Sequence, residues 1–334
     1  MIATLHALEK VQLHNGEFPL VFNAKEKNIN INDVIHWLND EKNKLISLLS
    51  KHGAILFRGF PIKGYMHFDS FIKTFGLTNF PYEESFSNAV RYKRTKRVFT
   101  ANEAPPSVSI FLHHELAQTP VYPSHLFFYC ENAPEKNGET PLCRSDVLLS
   151  KLQGVIPEFV QSCEKLGVCY TNVMPDHEDN NSGQGRSWYS TLGVSNKSNA
   201  ERKLNTLGYQ WEWMDDGSLE VKTAVLPAVK TLDDKRRVFF NQLIAAYRGW
   251  KDKRNASRKN IFFGDGSAIP IKDMNIAVKL ADQLTFNLEW ETGDIALIDN
   301  YLVMHGRRPY KGDRRILASL ASVGTKRNNT MNIS

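Results

Sequence analysis

FLHHEL (residues 111–116) and DNYLVMHGRR (residues 299–308) each carry a histidine at or near the end of an apolar run. His113 and Glu115 stand two positions apart, and alternate side chains of a strand point to the same face, so both would project into one pocket. His305 closes the second run. Two imidazoles and one carboxylate on one face of a metal leave the opposite face open, which suits ferrous iron that also takes a co-substrate and dioxygen. The sequence therefore predicts a mononuclear iron site formed by His113, Glu115 and His305.

Length and composition limit the class of protein. The chain has 334 residues, of which 42% are hydrophobic and 23% charged, as in an ordinary globular protein. This length allows one large domain or two small ones, and because no linker or repeat stands out we predict a single domain over residues 1–334. No apolar run reaches the roughly 20 residues of a membrane span. The first residues lack the basic and apolar regions of a secretory signal. We therefore predict a cytoplasmic protein that does not enter membranes.

Cysteine spacing argues against a zinc-binding module, because the sequence contains neither a CxxC pair nor a zinc-knuckle pattern. The cysteines stand among apolar neighbours instead. We expect four buried, reduced thiols: Cys130, Cys143, Cys163 and Cys169.

The net charge of +6 gathers in three basic segments, at 91–97, 251–258 and 306–315. No nucleic-acid-binding motif accompanies them and 36 acidic residues dilute them, so we do not expect a nucleic-acid partner. For the first two segments a solvated surface is the simplest interpretation. The functional alternative is that they attract an acidic substrate or the acidic surface of a carrier-protein domain.

Hydrophobic periodicity predicts an α+β fold, although such a mixed pattern also occurs in α/β sheets. We expect helices at 31–49, at 65–76, as two short helices within 145–167, and at 271–285. We expect strands at 52–60, around the HHE motif, at 125–130, 167–175, 219–229 and 237–244, and as one long buried strand at 293–305. Periodicity is weak between about 176 and 220, which predicts a lid or insert over the site.

Residues beyond the metal motif favour an oxo-acid co-substrate. Arg314 and Arg315 follow His305 closely, and arginine neutralises a carboxylate through two parallel hydrogen bonds. Thr140 offers a hydroxyl as a further partner. A co-substrate that chelates iron through its oxo-acid end would use both groups at its far carboxylate.

Two other functions can be considered for the same residues. A zinc hydrolase also uses two histidines, a glutamate and an activated water, but HExxH is absent and such an enzyme would have no use for Thr140 or the arginine pair. A non-catalytic binding or regulatory protein is the second alternative. Three metal-ligating side chains in an apolar pocket are costly without an ion, which argues against it.

Longer segments carry a family resemblance. HHELAQTPVYPSHLFFYCENAPEKNGETPLCRSD, HGAILFRGF and GDIALIDNYLVMHGRRPYKGDRR resemble the taurine dioxygenase superfamily of iron(II)/2-oxoglutarate oxygenases. Within it the chain is most similar to the subgroup of the syringomycin-pathway aspartyl hydroxylase and the plant clavaminate-synthase-like proteins. GRSWYSTLG, GYQWEW, FFNQLIAAYRGWKDKRN and RRILASL extend the resemblance over nearly the whole chain.

The resemblance implies a fold, a site and a reaction. The fold would be a double-stranded β-helix (jelly roll) core with surrounding helices. The metal ligands would be those named above, and Thr140 would contact the 2-oxoglutarate carboxylate. The matching arginine is Arg314 by comparison with close relatives and Arg315 by its distance from the distal histidine in taurine dioxygenase; we favour Arg314. Because Glu115 occupies the position that is Ala or Gly in related halogenases, the resemblance implies hydroxylation of an unactivated C–H bond.

The substrate is the least constrained part of this prediction. The resemblance points to an amino acid or a carrier-tethered aminoacyl group of secondary metabolism, with a sulfonate or another small acid as the alternative. Arg186, Asn241, Arg307 and Arg308 are candidate substrate contacts. For the arginines a structural or surface ion pair is an equal alternative, and a satisfied core amide is the more common role of a residue such as Asn241. An acidic carrier domain would dock on 91–97 or 251–258.

Overall fold

The computed structural model describes residues 2–7, 17–25, 28–82, 85–87, 89–182, 184–250, 254 and 260–322. The basic segment 251–258 therefore lies outside the described residues, apart from Arg254.

Helices are distributed along the whole described chain. Those before the middle of the chain are α1 (Ile31–His52), α2 (Gly64–Thr74), α3 (Ser145–Val155) and α4 (Pro157–Leu166). The later ones are α5 (Trp188–Leu192), α6 (Lys197–Thr206), α7 (Leu243–Gly249) and α8 (Ile271–Gln283).

Most strands are short. The first ten are β1 (Ala3–Ala7), β2 (Leu20–Ala24), β3 (Ala54–Arg58), β4 (Thr78–Asn79), β5 (Phe99–Thr100), β6 (Ile110–His113), β7 (His125–Asn132), β8 (Lys136–Asn137), β9 (Thr140–Arg144) and β10 (Val168–Met174). The others are β11 (Gln210–Trp213), β12 (Leu219–Lys222), β13 (Lys230–Thr231), β14 (Arg237–Val238), β15 (Ile261–Phe263), β16 (Phe286–Leu288), β17 (Ile295–Asp299), β18 (Val303–Arg307), β19 (Tyr310–Lys311) and β20 (Arg315–Ser322). The predicted α+β class is confirmed.

Local sequence sets the bounds of the first helix. The Asn30 side chain accepts hydrogen bonds from the backbone N–H groups of Asn32 and Asp33, and the Asp33 carboxylate accepts one from Asn30 N–H, which makes a capping box. Gly53, at φ +87°, ends the helix in a left-handed conformation. The helix therefore continues to His52, one turn beyond the end that apolar periodicity predicted.

Two sheets face each other across the core. The larger has the order β1-β2-β3-β17-β7-β20-β4, with β5 also paired to β20, and the smaller has the order β16-β9-β18-β6. Because side chains alternate along each strand, the larger sheet contributes one row to the core shared with the smaller sheet, namely Leu56, Phe128, Ala296 and Ala318. Its other row packs against α1 and α2: Phe57, Phe127, Leu297 and Leu317. Each large side chain buried in this way stabilises the fold by about 2 kcal/mol.

The outer face of the smaller sheet is covered by helices. Leu112 of β6, Cys143 of β9 and Met304 of β18 pack with apolar side chains of α3, α4, α7 and α8. The smaller sheet is thus buried on both faces, and its strands β6, β9 and β18 are held at fixed register. This is the sheet that carries both candidate metal-binding histidines.

A corner at Asn300 corrects the predicted long strand at 293–305. β17 belongs to the larger sheet and β18 to the smaller, and the chain turns between them. The fully buried Asn300 holds the turn: its Nδ2 donates to Glu115 O at 3.0 Å and to Pro123 O at 2.8 Å, while its Oδ1 accepts from Glu115 N–H at 2.8 Å. Apolar composition predicted the burial, but a polar residue that satisfies three backbone groups produces the change of sheet.

Two other regions differ from the prediction. The segment 176–220 contains α5, α6, β11 and the start of β12, so its longest stretch without a helix or strand is the described part of 175–187. The predicted strand at 237–244 is a two-residue strand, β14, followed after a short bend by α7. In both cases the tertiary packing of polar and aromatic residues overrides weak periodicity.

All four cysteines are buried and unpaired, as predicted. None of the described helices has the length and apolarity that a membrane crossing needs. The cytoplasmic location and the single domain over residues 1–334 stay predictions.

Candidate active site

Two neighbouring strands and one turn bring the predicted metal ligands together. His113 ends β6, His305 lies in β18, and the two residues are register partners. Glu115 is not in the strand as predicted, because the chain turns after His113 and Leu116 adopts φ +61°. Glu115 Oε2 lies 3.8 Å from His113 Nε2 and 3.5 Å from His305 Nε2. The three residues each offer one ligand atom, and these atoms all lie within 4.8 Å of one another.

Hydrogen bonds orient these ligands toward a common point. His113 Nδ1 lies 2.8 Å from Phe111 O, and donation from this nitrogen leaves the Nε2 lone pair facing Glu115. Glu115 Oε1 accepts a hydrogen bond from Arg91 Nη2 at 2.9 Å, whereas Oε2 is buried and has no hydrogen-bond partner among the described residues. A buried carboxylate oxygen aimed at two imidazole nitrogens is the environment that a divalent cation satisfies.

The protonation states also fit a cation. Burial raises the pKa of Glu115, but the Arg91 charge and the neighbouring imidazoles of His113 and His305 outweigh it, so the pKa lies well below its usual value. Burial, reinforced by the neighbouring His113, lowers the pKa of His305 to about 4. A charged carboxylate and a neutral imidazole are the forms that bind metal.

The second histidine of FLHHEL has a structural role. His114 is fully buried, points away from the cavity and lies with Nδ1 within hydrogen-bond distance, 2.5 Å, of Asn300 O. Burial lowers the pKa of His114 to about 3, so it is neutral. It therefore helps to hold the Asn300 corner instead of binding metal.

A cavity of about 590 Å³ opens from the metal-ligating side chains. One wall is polar and comes from the irregular segment 175–187, which contributes Asp179, Asn181, Ser182 and Gln184. Arg254 faces this wall, with Nη1 3.0 Å from Asp179 Oδ2. Phe111 and Trp250 add apolar surface. The cavity is large enough for a co-substrate and a small second molecule together.

Comparison with known proteins agrees with this geometry. Residues 13–320 match the family described as Taurine catabolism dioxygenase TauD, TfdA family. The chain belongs to this family. A clavaminate synthase-like protein of Arabidopsis thaliana is 41% identical over 284 residues, covering 85% of this chain and 86% of that protein. The dapdiamide synthesis protein DdaC of Enterobacter agglomerans is 27% identical over 291 residues, covering 82% and 83%.

Solved structures share the fold at low sequence identity. PvcB of Pseudomonas aeruginosa aligns with a TM-score of 0.54 at 13% identity over 96% of this chain and 92% of PvcB. Another structure of PvcB, an Fe, alpha-ketoglutarate dependent oxygenase from an isonitrile synthetic pathway, aligns with a TM-score of 0.53 at 12% identity over 96% and 92%. A taurine dioxygenase of Burkholderia xenovorans aligns with a TM-score of 0.53 at 12% identity over 96% and 90%.

This TauD-family protein is an iron(II)/2-oxoglutarate-dependent dioxygenase that uses ferrous iron, 2-oxoglutarate and dioxygen, as the sequence predicted. Family membership does not support the zinc-hydrolase and non-catalytic alternatives. A small-molecule substrate is consistent with the family.

Thr140 and Arg314 line the same cavity and offer a binding place for a carboxylate. Thr140 is buried, and its Oγ1 accepts a hydrogen bond from Trp290 Nε1 at 3.0 Å, which leaves the Thr140 hydroxyl proton available to a ligand. Arg314 Nε donates to Gly138 O at 2.9 Å, and no described residue forms a salt bridge with its guanidinium. Burial and the neighbouring Arg307 lower the pKa of Arg314 to about 10, so it stays charged. A partly buried cation with no salt-bridge partner among the described residues suits an anionic ligand.

Gly138 makes this arrangement possible. It lies in a turn at φ +81°, and a Cβ there would lie 2.8 Å from Tyr310 Cβ and 3.1 Å from Arg314 Cδ. Only glycine lets the backbone come this close to the arginine that its carbonyl orients.

The second member of the arginine pair points away from the cavity. Arg315 begins β20, its side chain is 55% exposed, and it lies 3.3 Å from Asp313 and 3.7 Å from Glu131. Arg314, just before the strand, lines the cavity. The structure thus separates two residues that the sequence left as alternatives.

Two predicted substrate contacts lie outside the cavity wall. Asn241 is buried, donates from Nδ2 to Ala228 O at 2.9 Å and accepts from Leu243 N–H, so its amide is satisfied within the core at the start of α7. Arg308 donates from Nε to Asn287 Oδ1 at 3.1 Å on an exposed face. Neither is among the described residues that line the cavity, and a substrate contact by either stays a prediction.

Arg307 and Arg186 use their guanidinium groups structurally. Arg307 lines the cavity, but its two terminal nitrogens donate to the backbone carbonyls of Asn102, Ala104, Pro105 and Val108 at 2.8–3.2 Å. Arg186 donates to Ser85 O, Ser87 O and both oxygens of Ser190 at 2.8–3.2 Å. It ties the irregular segment 175–187 to the 85–87 strip and is not among the described residues of the cavity wall.

Arg91 is the site residue that sequence reasoning missed. The sequence places it in the solvated segment 91–97, yet its side chain is only 7% exposed and lies over the rings of Tyr82 at 4.8 Å and Phe99 at 5.4 Å. Its partner Glu115 lies on another element. No local pattern marks such a residue, because a basic run looks the same whether one member turns inward or all face water.

Proposed function

We propose that this dioxygenase hydroxylates an unactivated C–H bond of a small amino-acid-type substrate, with His113, Glu115 and His305 holding the iron. The observation that carries the proposal is the convergence of Glu115 Oε2 and two imidazole Nε2 atoms at a cavity of about 590 Å³, which has room for two further molecules. When bound there, iron and 2-oxoglutarate supply an oxidant that can take hydrogen from an aliphatic carbon.

The chain's own residues would bind and orient the two organic molecules. Arg314 would pair with the far carboxylate of 2-oxoglutarate, and Thr140, whose oxygen already accepts from Trp290, would donate its hydroxyl proton to the same carboxylate. Phe128 and Ile316 line the cavity and limit water access. Fixing the co-substrate at one end of the cavity leaves the polar wall at 179–184 for the substrate.

We propose that the core is a double-stranded β-helix, because the same packing of two sheets that would form it also brings the metal-ligating side chains together. The larger and smaller sheets pack face to face, and the chain passes from one to the other at Asn300 between β17 and β18. Side chains that point inward from the smaller sheet then reach the space between the sheets, where His113 and His305 lie.

Support for a biosynthetic role comes from relatives. One is named for dapdiamide synthesis, and a solved relative belongs to an isonitrile synthetic pathway. An amino acid, free or tethered to a carrier domain, is the substrate class we propose. A sulfonate or another small acid is the alternative, since a taurine dioxygenase shares the fold. For a tethered substrate, the exposed Lys93, Arg94 and Lys96 would meet an acidic carrier surface.

The direct test is formation of succinate. Purified protein with ferrous iron, ascorbate and air should convert 2-oxoglutarate to succinate, slowly alone and faster with substrate. Under anaerobic conditions, iron plus 2-oxoglutarate should give a visible charge-transfer band that zinc plus 2-oxoglutarate does not. His305→Ala should lose both signals. A correctly metallated wild-type protein that forms neither band nor succinate would rule the proposal out.

A further inference from the structure

Most of the charged side chains that line the cavity, among the described residues, have a partner or a role already identified. The metal-ligating side chains and Arg91 form one group, in which Arg91 pairs with Glu115. Arg307 donates to backbone carbonyls, and Arg314 is the carboxylate-binding candidate. One acidic and one basic side chain then stand outside these roles, and they face each other: Asp179 and Arg254.

The loop around Asp179 is built to hold its carboxylate in place. Asp179 N–H donates to Gly185 O at 2.7 Å, and Asp179 Oδ1 accepts from Asn181 N–H at 3.0 Å. A Cβ on Gly185 would lie 1.7 Å from Asp179 O, so only glycine closes this loop. With Oδ1 engaged by the loop, Oδ2 is directed to Arg254 across the cavity wall.

We infer that Asp179 and Arg254 bind the ammonium and the carboxylate of a free α-amino acid, an assignment that rests on the proposed function. The two side chains are 35% and 19% exposed, so water reaches them but does not fully screen them. When a zwitterionic amino acid binds, the Asp179–Arg254 ion pair is lost, and two form in its place: Asp179 with the ammonium and Arg254 with the carboxylate. A ligand with a single charge breaks the pair and replaces only one half of it, which makes it a poor ligand.

The assignment separates two substrate forms that the family resemblance leaves open. An aminoacyl group held as a thioester has an ammonium but no carboxylate, so it would draw Asp179 away from Arg254 and offer the arginine no anion in exchange. Phe111 and Trp250 line the same cavity and offer apolar contact to a side chain. The pair therefore selects the free amino acid over the tethered one.

Binding can be measured apart from turnover. Proteinogenic L-amino acids are titrated by calorimetry into the iron-free protein, and each binder is compared with its deaminated acid and its decarboxylated amine. The expected result is that at least one amino acid binds at least about tenfold more tightly than either analogue. Equal binding of the acid or the amine, or no amino acid binding above them, overturns the inference.

Variants assign the binding to the two residues. Asp179→Asn and Arg254→Gln should each raise the KM for the amino acid by about tenfold or more with a smaller change in kcat, while the melting temperature stays near that of the wild type. Arg202→Gln and Asp265→Asn, at exposed positions outside the cavity, are the matched controls and should leave KM unchanged. Unchanged KM in both cavity variants overturns the inference.

The charge-reversed double variant Asp179→Arg/Arg254→Asp distinguishes amino-acid binding by the two residues from an ion pair that only holds the cavity wall together. It can restore the ion pair, but the ammonium and carboxylate of the amino acid would then bind at exchanged positions. Recovery of KM and kcat would therefore indicate that the pair is only structural and would overturn the inference. Failure of the proposed function would be seen differently: the wild type would form no succinate and would show no charge-transfer band with iron and 2-oxoglutarate. The calorimetric comparison tests amino-acid binding in either case.

Discussion

Arg91 Nη2 lies 2.9 Å from Glu115 Oε1, and this bond leaves Oε2 as the carboxylate oxygen that faces both candidate metal-binding imidazoles. The carboxylate is thereby presented through one oxygen. A carboxylate that bound a metal through both oxygens would occupy a position that the co-substrate or dioxygen needs.

Arg91→Met tests this positioning role. Removing one partner of a buried ion pair should lower the free energy of unfolding of the metal-free protein by about 3 kcal/mol, and loss of the ligand's support should weaken Mn²⁺ binding by about 10- to 100-fold. Urea denaturation and Mn²⁺ titration followed by EPR measure the two effects. Arg91→Lys keeps the charge and should recover part of the affinity. Wild-type Mn²⁺ affinity in the methionine variant would contradict the positioning role.

Arg314→Met and Arg315→Met form a matched pair for the co-substrate. Arg314 is partly buried on the cavity wall and Arg315 is 55% exposed. Loss of a buried charge partner costs about 2–5 kcal/mol, so the KM for 2-oxoglutarate should rise by at least about 30-fold in Arg314→Met. In Arg315→Met it should stay within about twofold, since exposed pairs contribute little. Steady-state succinate formation measures both, and the reverse order would assign the carboxylate to Arg315.

Arg186→Met should affect stability more than 2-oxoglutarate binding. Four acceptor atoms on Ser85, Ser87 and Ser190 lose a charged donor, which should lower the free energy of unfolding by about 3 kcal/mol. Urea denaturation measures this loss, and the KM for 2-oxoglutarate should not change. Arg202→Met, at an exposed helical position, is the control. A raised substrate KM with unchanged stability would instead show that Arg186 contacts substrate.

Asp299→Asn gives a pH-dependent prediction. Burial raises the pKa of Asp299 to about 6, so the folded protein holds this proton more tightly than the unfolded chain. The group's contribution is complete below about pH 4 and is lost as the pH rises through 6. Asp299→Asn, which cannot ionise, should therefore be more stable than the wild type at pH 8, by about 2 kcal/mol, and nearly equal to it at pH 4.

Thermal unfolding at the two pH values measures the Asp299 effect, and Asp234→Asn is the contrasting control. A hydrogen bond from Arg236 lowers the pKa of the exposed Asp234, so its contribution is present at neutral pH and is lost as the pH falls. The two variants should respond to pH in opposite directions. A stability difference for Asp299→Asn that is the same at pH 4 and pH 8 would contradict the assignment.

The sequence predicted best the metal-ligating histidines that stand at the ends of apolar runs. His113 and His305 follow runs whose burial is dictated by composition, and strand pairing then brings them into register. Glu115 reaches the site for a reason other than the predicted one, because strand alternation does not apply after β6 ends. A turn and the Asn300 side chain place its carboxylate instead.

What could not be predicted depends on contacts between distant elements. The inward turn of Arg91 depends on Glu115, Tyr82 and Phe99 meeting around it. The use of Arg307 depends on four carbonyls of the 102–108 strip. Charge and spacing mark such residues as interesting, but only the tertiary arrangement decides whether a guanidinium meets a ligand or the backbone.

The buried cysteines have a consequence for an enzyme that handles oxygen. Burial raises the pKa of Cys130 and of Cys163 to about 12, and it also raises the pKa of Cys143 and Cys169. Peroxide, a by-product of unproductive oxygen activation, attacks thiolate and not thiol. All four sulfurs should therefore react slowly with peroxide that the enzyme itself releases. During storage in air we expect neither sulfenic acid formation nor disulfide cross-linking between molecules at these cysteines.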